Sequence, residues 1–252
     1  MFDIVTIAIN DVCNEMCRPC FAPLKGGQRS VEEVLSMVDR FSSSRSINIQ
    51  GGEPTLHRGL VDILLGIKQR GKSAHIATNG TYIPTRLLEL SSELSENVQI
   101  QVGLFASYRE LYEQITGRDW FERVIQNIKA YKTHYPTMLS SAIYRENFHD
   151  VDGLVRLADS LGMPIRINLT MAAGRGKNVE LITIDEIERL KTQIRVYQLS
   201  GIHADAPFLD NNYCPAVMAA YGLPGVRKCP AYEGQRLYVG LKTIIACEFL
   251  QR

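Results

Sequence analysis

The stretch Cys13–Cys20 (CNEMCRPC) decides the fold of this chain, because it places three thiols in a C-x3-C-x2-C pattern directly after an apolar segment. That preceding segment, Asp3–Asn10 (DIVTIAIN), is β-branched and apolar and predicts a buried strand. A single loop with this spacing can hold one side of a metal cluster. Four cysteines are the normal ligands of a four-iron cluster. The missing fourth ligand therefore predicts an iron that is open to a small molecule.

Strand-like and helix-like segments alternate after this loop. Five more strands are predicted at Ser46–Gln50, Ser73–Ala77, Val98–Leu104, Thr137–Ile143 and Ile165–Leu169. Apolar residues at helical spacing predict helices near 31–41, 60–69, 84–92, 120–131, 151–161 and 184–194. Capping boxes precede two of these helices, at Ser30–Glu33 and Thr183–Glu186. Six such units with short connections predict an α/β fold, a partial (β/α)6 barrel of parallel strands with right-handed crossovers.

The last part of the chain departs from this alternation. It is loop-rich and holds two short β-like segments, Arg236–Gly240 and Thr243–Cys247, which predict a hairpin. We therefore expect two domains, the barrel over 1–199 and a small C-terminal β-hairpin and loop module over 200–252.

Composition excludes several classes of protein. The 252 residues contain no apolar run long enough to cross a membrane, and the first residues do not form a signal peptide. A net charge of +1 predicts neither a nucleic-acid partner nor a membrane partner. Without a secretory signal, the six cysteines favour metal binding or catalysis over disulfides. The expected compartment is the reducing cytoplasm.

Two further unusual loops follow neighbouring predicted strands. Gly51–Pro54 (GGEP) follows the second strand and Thr78–Gly80 (TNG) follows the third. Ligands of parallel α/β folds bind at the carboxyl ends of the strands. The cysteine loop lies at the same predicted edge, so the three loops predict one shared site.

Taken together, the cysteine pattern and the GGEP segment resemble the radical S-adenosylmethionine (SAM) superfamily, over about residues 1–180. The resemblance implies a [4Fe–4S] cluster on Cys13, Cys17 and Cys20. The open iron then binds the amino and carboxylate groups of SAM. One electron from the reduced cluster cleaves the sulfonium, and the resulting 5′-deoxyadenosyl radical abstracts hydrogen from a substrate. Supply of that electron implies an external electron donor.

The resemblance also implies the residues that contact SAM. Gly51 and Gly52 would allow close backbone approach to the methionyl group, and Glu53 would accept a hydrogen bond from its ammonium. Asn79 matches a strand-end position that contacts the ribose. Other contacts are implied further along the chain.

These further contacts follow the fifth and sixth strands. The segment from Leu169 through Gly174 to Gly176 would wall the adenine, and Arg145 and Asn147 would reach the cofactor. Two positions depart from the family pattern.

The first departure is Pro19, which stands where an aromatic residue usually precedes the third cysteine, so Phe21 would pack against the adenine instead. The second is Gly103–Ala106 (GLFA), which replaces a common Ser-Leu-Asp-Gly segment. The polar contacts that the serine and aspartate supply in relatives are therefore not expected here.

The late cysteines have a resemblance of their own. Cys229 and Cys247, together with Gly174-Arg175-Gly176, resemble the auxiliary-cluster modules called SPASM and twitch in an abbreviated form. The resemblance implies an auxiliary iron–sulfur cluster on Cys214, Cys229 and Cys247, with Asp210 or substrate as its fourth ligand. Two alternatives remain open, namely Cys214 as a thiol hydrogen-atom donor and three inert buried thiols.

Other interpretations of the first cysteine group and of the whole chain also remain open. A zinc site would need four nitrogen or sulfur ligands, and none of the five histidines is near the loop in sequence. An iron–sulfur carrier or a metal-stabilised binding module is the non-enzyme alternative, but such a protein would not need GGEP and TNG.

Two enzyme functions follow from the resemblance. The first is maturation of a ribosomally made precursor peptide by a crosslink, an epimerisation or a backbone excision. The barrel begins near residue 4, so we expect a separate small recognition protein to present such a peptide. The second is a small-molecule dehydrogenase of the aminocyclitol type, in which the auxiliary cluster takes up the substrate electron.

Overall fold

The computed structural model describes residues 3–22, 24–207, 209 and 221, and the backbone of 236–239 and 244–245. The described residues contain nine strands, which are β1 (Ile4–Asn10), β2 (Ser46–Gly51), β3 (Ser73–Thr78), β4 (Val98–Gly103), β5 (Thr137–Ile143), β6 (Ile165–Leu169), β7 (Ala204–Asp205), β8 (Arg236–Val239) and β9 (Ile244–Ile245). The first six agree with the predicted strands to within one residue at each end.

The α-helices of the described residues are α1 (Val31–Arg40), α2 (Leu60–Gln69), α3 (Thr85–Glu89), α4 (Ser91–Leu94), α5 (Arg109–Thr116), α6 (Phe121–His134), α7 (Val151–Ser160) and α8 (Ile184–Leu199). Both predicted capping boxes are present, in front of α1 and α8. The helix predicted near 84–92 is two short helices, and α5 was not predicted. No described helix is long and apolar enough to cross a membrane.

The strands form one sheet in the order β7-β6-β5-β4-β3-β2-β1-β8-β9. All neighbours are parallel except the pair β8–β9. Because β1 to β6 follow one another in both sequence and space, right-handed crossovers place every connecting helix on the same face of the sheet. The predicted partial barrel of parallel strands is confirmed, and its two end strands, β7 and β9, do not pair with each other in the described part of the chain.

The face of the sheet that the helices cover, here called the covered face, is apolar. Its side chains are fully buried on every strand from β1 to β6, and they include Ile7, Ile49, Ile76, Ile100 and Ile167. Burial of each such side chain contributes about 1.5–3 kcal/mol to stability. The barrel therefore has its main core between this face and the helices.

The opposite face, here called the open face, is polar. Residues paired across parallel strands point to the same side, and the register aligns Thr6, Asn48, His75 and Gln99 from β1 to β4. Further polar side chains of this face are Ser46, Gln50, Ser73, Gln101, Ser140, Arg166, Asn168 and Asp205. Most of them are half-buried or exposed. The open face of the sheet is therefore partly accessible to solvent.

The predicted C-terminal hairpin is present as the antiparallel pair β8–β9. Strand β8 also pairs in parallel with β1, from Ile4 opposite Arg236 to Ile7 opposite Val239. The hairpin therefore continues the barrel sheet, and the domain boundary at 199 and 200 stays a prediction.

Candidate active site

Three loops meet at the carboxyl ends of β1, β2 and β3. They are the cysteine loop (Asp11–Phe21), the Glu53 loop (Gly51–His57) and the turn at Asn79. Asn79 Nδ2 donates to Asn14 Oδ1 at 2.9 Å, and Asn14 Nδ2 donates to Thr81 Oγ1 at 2.8 Å. These contacts join the turn after β3 directly to the cysteine loop, as the shared edge predicted.

Backbone hydrogen bonds from distant elements hold the cysteine loop. Met16 N donates to Thr116 O at 3.1 Å and Arg18 N donates to Ile115 O at 2.9 Å, so the end of α5 supports the middle of the loop. Gly176 N donates to Cys20 O at 2.9 Å and supports its end. The loop is irregular but its backbone path is well defined by these partners.

The three thiols of this loop are half-buried. Burial raises the pKa of Cys13 to about 11, against a hydrogen bond from Glu15 N that lowers it. Burial also raises the pKa of Cys17 well above its ordinary value. The thiols of Cys13 and Cys17 are therefore protonated near neutral pH in the metal-free chain, and metal binding must release those protons.

Glu15 is a buried residue of the cysteine loop that the sequence analysis did not single out. Its side chain is buried, and its carboxylate accepts hydrogen bonds from Cys17 Sγ at 3.2 Å and from the Tyr112 hydroxyl. Burial raises the pKa of Glu15 to about 7, although both hydrogen bonds lower it. A charged residue between two predicted ligands was the one signal in the sequence, because Tyr112 lies 97 residues away along the chain.

Glu53 holds the edge of the site together. Its fully buried carboxylate accepts from Thr55 N at 2.9 Å, Thr55 Oγ1 at 2.7 Å, Thr78 Oγ1 at 2.7 Å and Asn79 N at 2.6 Å. Burial raises its pKa, and these donors oppose the rise. The side chain thus fixes the turn after β3 to the loop after β2, and its expected bond to a SAM ammonium stays a prediction.

Gly51 and Gly52 bring the Glu53 loop close to the cysteine loop. A Cβ at Gly51 would lie 2.3 Å from Asn10 Oδ1, and a Cβ at Gly52 would lie 2.4 Å from Val12 O. Gly52 N and Glu53 N donate to Asn10 O and Val12 O at 3.0 and 2.8 Å. The protein's own backbone therefore uses the space that these glycines provide, in addition to any approach of a ligand.

The segment after β6 contacts the end of the cysteine loop in the same way. Gly174 has a φ of 57°, and a Cβ there would lie 2.2 Å from Phe21 O. A Cβ at Gly176 would lie 2.7 Å from the carbonyl carbon of Pro19, which is buried. Both glycines are therefore needed for this packing. The Phe21 side chain is 39% exposed, in reach of a ligand at this edge.

Comparison with known proteins agrees with this geometry. Residues 7–158 match the radical SAM superfamily model. The chain belongs to the radical SAM superfamily. Members of this superfamily carry a [4Fe–4S] cluster and SAM, so the chain is a radical SAM enzyme that uses both.

Among curated radical SAM relatives, a protein named Probable GTP 3′,8-cyclase from Saccharolobus islandicus (strain Y.N.15.51 / Yellowstone #2) is 33% identical over 165 residues. The alignment covers 62% of this chain and 53% of that protein. The chain therefore spans about half the length of the curated relatives it matches.

Solved radical SAM structures share the fold at low identity. SuiB of Streptococcus suis bound to the precursor peptide SuiA has a TM-score of 0.82 and 14% identity, over 98% of this chain and 60% of that chain. The enzyme anSMEcpe with bound AdoMet and the Cp18Cys peptide has a TM-score of 0.74 and 16% identity, over 99% of this chain and 74% of that chain. At these identities the likeness shows the fold alone.

The residues at the site fit the two radical SAM cofactors. No three His, Cys, Asp or Glu side chains in the described residues are gathered closely enough to hold a single metal ion. Cysteines around a four-iron cluster bind different irons, so they stand further apart. At the end of β6, Thr170 Oγ1 is buried without a hydrogen-bond partner, which leaves it available to a ligand at this edge.

Three residues that the resemblance predicts to contact the cofactor, namely Leu169, Asn147 and Arg145, contact other parts of the protein. Leu169 is 3% exposed and packs in the core, because alternate residues of β6 point to the covered face. Asn147 is fully buried, and its amide donates to Phe105 O at 3.0 Å and Ala142 O at 3.1 Å. Its Oδ1 accepts from Tyr144 N, so every group of this side chain supports the loop after β5.

Arg145, the third, pairs with acidic residues near α8. Its Nε donates to Glu180 Oε1 at 3.0 Å and its Nη1 donates to Glu186 Oε1. The guanidinium lowers the pKa of Glu186 to about 2. This pairing gives Arg145 partners within the protein, and its expected contact with SAM stays a prediction.

The predicted auxiliary site lies outside the described residues. Cys214, Cys229, Cys247 and the alternative ligand Asp210 all fall there. Their assignment to a second cluster therefore stays a prediction.

Proposed function

We propose that this chain modifies a ribosomally made precursor peptide by radical SAM chemistry. The observation that carries the proposal is the open face of the sheet, which extends from the cysteine-loop edge and carries mostly neutral amide and hydroxyl groups, with one ion pair between Arg166 and Asp205. A face of this kind, next to the predicted cluster, is where a polar substrate meets the reacting atom.

The amide side chains of the open face suit a peptide backbone. Asparagine and glutamine each carry donors and acceptors, as a peptide bond does. Amides stand on β2, β4 and β6, at Asn48, Gln50, Gln99, Gln101 and Asn168. Six strands at about 4.8 Å spacing give a face roughly 24 Å wide. An extended peptide of several residues matches that width, whereas a single aminocyclitol ring would contact a small part of it.

A nucleotide substrate is the second candidate, because curated relatives carry the name Probable GTP 3′,8-cyclase. A triphosphate needs several cationic partners. On the described strands β1 to β7, Arg166 is the one arginine or lysine of the open face, so a triphosphate would meet a single cationic side chain there. The charge of the described face therefore favours a peptide over GTP. SuiB, whose fold this chain shares, was solved with a precursor peptide.

The roles of the chain's own residues follow from their contacts. Cys13, Cys17 and Cys20 hold three irons, and the Glu53 loop with its glycines holds the cysteine loop at the sheet edge. When bound, the cluster and SAM supply a carbon radical that abstracts hydrogen from the substrate. The open face positions the peptide below that edge and keeps its polar groups paired.

Three finer parts of the proposal concern partners and the C-terminal module. A separate small recognition protein presents the peptide, and an external donor supplies the electron. The late cysteines, with Asp210 or substrate as a further ligand, hold an auxiliary cluster. Iron content of anaerobically purified protein tests the last part, with roughly four irons expected for one [4Fe–4S] cluster and roughly eight for two.

The deciding experiment compares substrates on the same anaerobic enzyme. Reconstituted protein with SAM and dithionite is incubated with small peptides encoded by neighbouring reading frames, with GTP, or with a free aminocyclitol. We expect a peptide whose mass changes only when enzyme and SAM are both present. Conversion of GTP or of the aminocyclitol, with no peptide changed, would refute the peptide proposal while leaving the radical SAM assignment intact.

A further inference from the structure

Arg166 and Asp205 are the two charged side chains that strands β1 to β7 place on the otherwise neutral open face. Arg166 is the second residue of β6 and keeps 42% of its side-chain surface exposed. Its Nε donates to Asp205 Oδ2 at 3.1 Å, and the register places Asp205 directly opposite it on β7. An ion pair this exposed contributes about 0–1 kcal/mol to stability. Stability alone therefore gives little reason for an arginine at this position.

The hydrogen bond to Asp205 leaves the other end of the guanidinium free. Both Nη atoms make no hydrogen bond with the described residues. Because Nε is held by Asp205, the plane of the guanidinium is oriented and its two terminal nitrogens form a fork. A fork of this kind matches the two oxygens of a carboxylate.

Apart from Asp205, the polar side chains near Arg166 on the open face are neutral. His75 on β3 stands on the same face, and burial and the charge of Arg166 both lower the pKa of its imidazole, so His75 is neutral. Beside Arg166, Asn168 Nδ2 donates to Ser140 Oγ at 2.9 Å, so these neighbours are neutral as well.

We propose that Arg166 is a specificity residue that binds a carboxylate of the substrate on the open face, with Asp205 as the positioning residue of its guanidinium. The proposal rests on the function proposed above, and it narrows the substrate class to peptides that present an acidic side chain or a carboxyl terminus. A neutral isostere would leave the fork without a partner and would bind less well.

A protection experiment on the wild-type holoenzyme tests this directly. The enzyme with its cluster and SAM is treated with phenylglyoxal, which modifies arginines, and modification is mapped by mass spectrometry. The probes are acetyl-glutamate amide and its neutral isostere acetyl-glutamine amide. We expect the glutamate probe alone to slow modification of Arg166. Arg156, whose side chain is 72% exposed and pairs with Asp152 on α7, is the internal control and should react equally with either probe.

Equilibrium dialysis of the same two probes gives the affinity ratio. We expect the wild type to prefer the glutamate probe about tenfold, Arg166→Lys to keep part of that preference, and Arg166→Gln to lose it. Arg156→Gln should match the wild type. Thermal unfolding and iron content of each variant check that it is folded and loaded.

Dithionite-driven SAM cleavage, measured on the wild-type sample, separates the two possible failures. An enzyme that cleaves no SAM contradicts the proposed function itself. An enzyme that cleaves SAM but binds the two probes equally, with Arg166 modified at the same rate in both, overturns the carboxylate proposal alone.

Discussion

The cysteine loop and the Glu53 loop leave neighbouring strands at the same edge of the sheet, yet they are built in opposite ways. The thiols of the cysteine loop are half-buried, and their side chains have few partners. The carboxylate of Glu53 is fully buried and accepts four hydrogen bonds from the protein. The thiols of the cysteine loop thus remain available to a cluster, whereas the protein itself supplies hydrogen-bond donors to the Glu53 carboxylate.

This difference separates two kinds of residue that a sequence motif presents alike. The GGEP segment and the cysteines together carry the family resemblance, but the Glu53 carboxylate here contacts the protein itself. The cysteines are therefore expected to control cofactor chemistry with little effect on the fold. Glu53, Gly51 and Gly52 are expected to stabilise the loops at this edge of the sheet. They should affect SAM cleavage only indirectly, by holding the cysteine loop in place.

The largest expected effect is loss of all SAM cleavage when a thiol is removed. Cys17→Ala removes one of three iron ligands, so we expect the reconstituted variant to lose most of its iron and to form no 5′-deoxyadenosine above background. Its free energy of unfolding without metal should change by less than about 1.5 kcal/mol, because a half-buried thiol has few contacts to lose.

Met16→Ala is the matched control in the same loop, since the Met16 side chain is 67% exposed and lies between two ligands. This variant should keep its iron and its SAM cleavage. SAM cleavage by Cys17→Ala with dithionite, at the wild-type rate, would rule out the assignment of the cluster to this loop.

The second effect should fall on stability. Glu53→Ala leaves four buried donors without an acceptor, and we expect a loss of about 3 kcal/mol in the free energy of unfolding of the metal-free protein. Glu53→Gln should lose about half as much, because its amide keeps one acceptor oxygen. Urea unfolding measures both.

Glu89→Ala, at an exposed position at the end of α3, provides the control and should change stability by less than about 0.5 kcal/mol. If Glu53→Ala is as stable as the wild type but binds SAM more weakly, the result would support the direct contact between Glu53 and the SAM ammonium that the sequence predicts.

The third effect links the two loops. Gly52→Ala places a Cβ 2.4 Å from Val12 O, so the backbone of one loop must move. We expect a loss of about 1–3 kcal/mol and a lower iron content after reconstitution, because the cysteine loop shifts with Val12. Gly103→Ala is the control, since its Cβ would meet nothing closer than Thr78 O at 3.7 Å. Equal iron content in the two variants would contradict the link.

Much of the fold could be predicted because local patterns decide it. The six barrel strands and the hairpin are apolar β-branched segments bounded by turns, and both capping boxes are local signals. Polar and apolar residues also alternate with a period of two in Ser46–Gln50 (SINIQ) and Ile165–Leu169 (IRINL). Parallel sheets covered on both faces are almost continuously apolar. The alternation therefore indicated one wet face, with Asn48 and Arg166 on it.

The parts that could not be predicted depend on distant contacts. Helix α5 has no side-chain cap at Tyr108, so its start carries no local signal. The role of Glu15 depends on Tyr112, and the role of Asn147 depends on backbone carbonyls after β4 and in β5. The family resemblance located the loops but did not say which side chains of each loop turn toward the protein.

The smallest effect should come from a substitution of Asn79, which contacts both the Glu53 loop and the cysteine loop. Its backbone N–H donates to Glu53, while its amide donates to Asn14 in the cysteine loop. Asn79→Ala keeps the first bond and loses the second. It also loses the contact of Asn79 Nδ2 with Cys13 Sγ and the bonds that Asn79 Oδ1 accepts from Thr81 N and Oγ1, so we expect a loss of about 1–2 kcal/mol in stability and a several-fold rise in the KM for SAM.

Asn127→Ala removes a different bond to the same turn, from Asn127 Nδ2 to Gly80 O at 2.7 Å, without touching the cysteine loop. A similar loss of stability with an unchanged KM for SAM in Asn127→Ala would show that the contacts of Asn79 with the cysteine loop, rather than its bonds within the turn, are what Asn79 adds to the site. Equal KM values in the two variants would assign Asn79 to the turn alone.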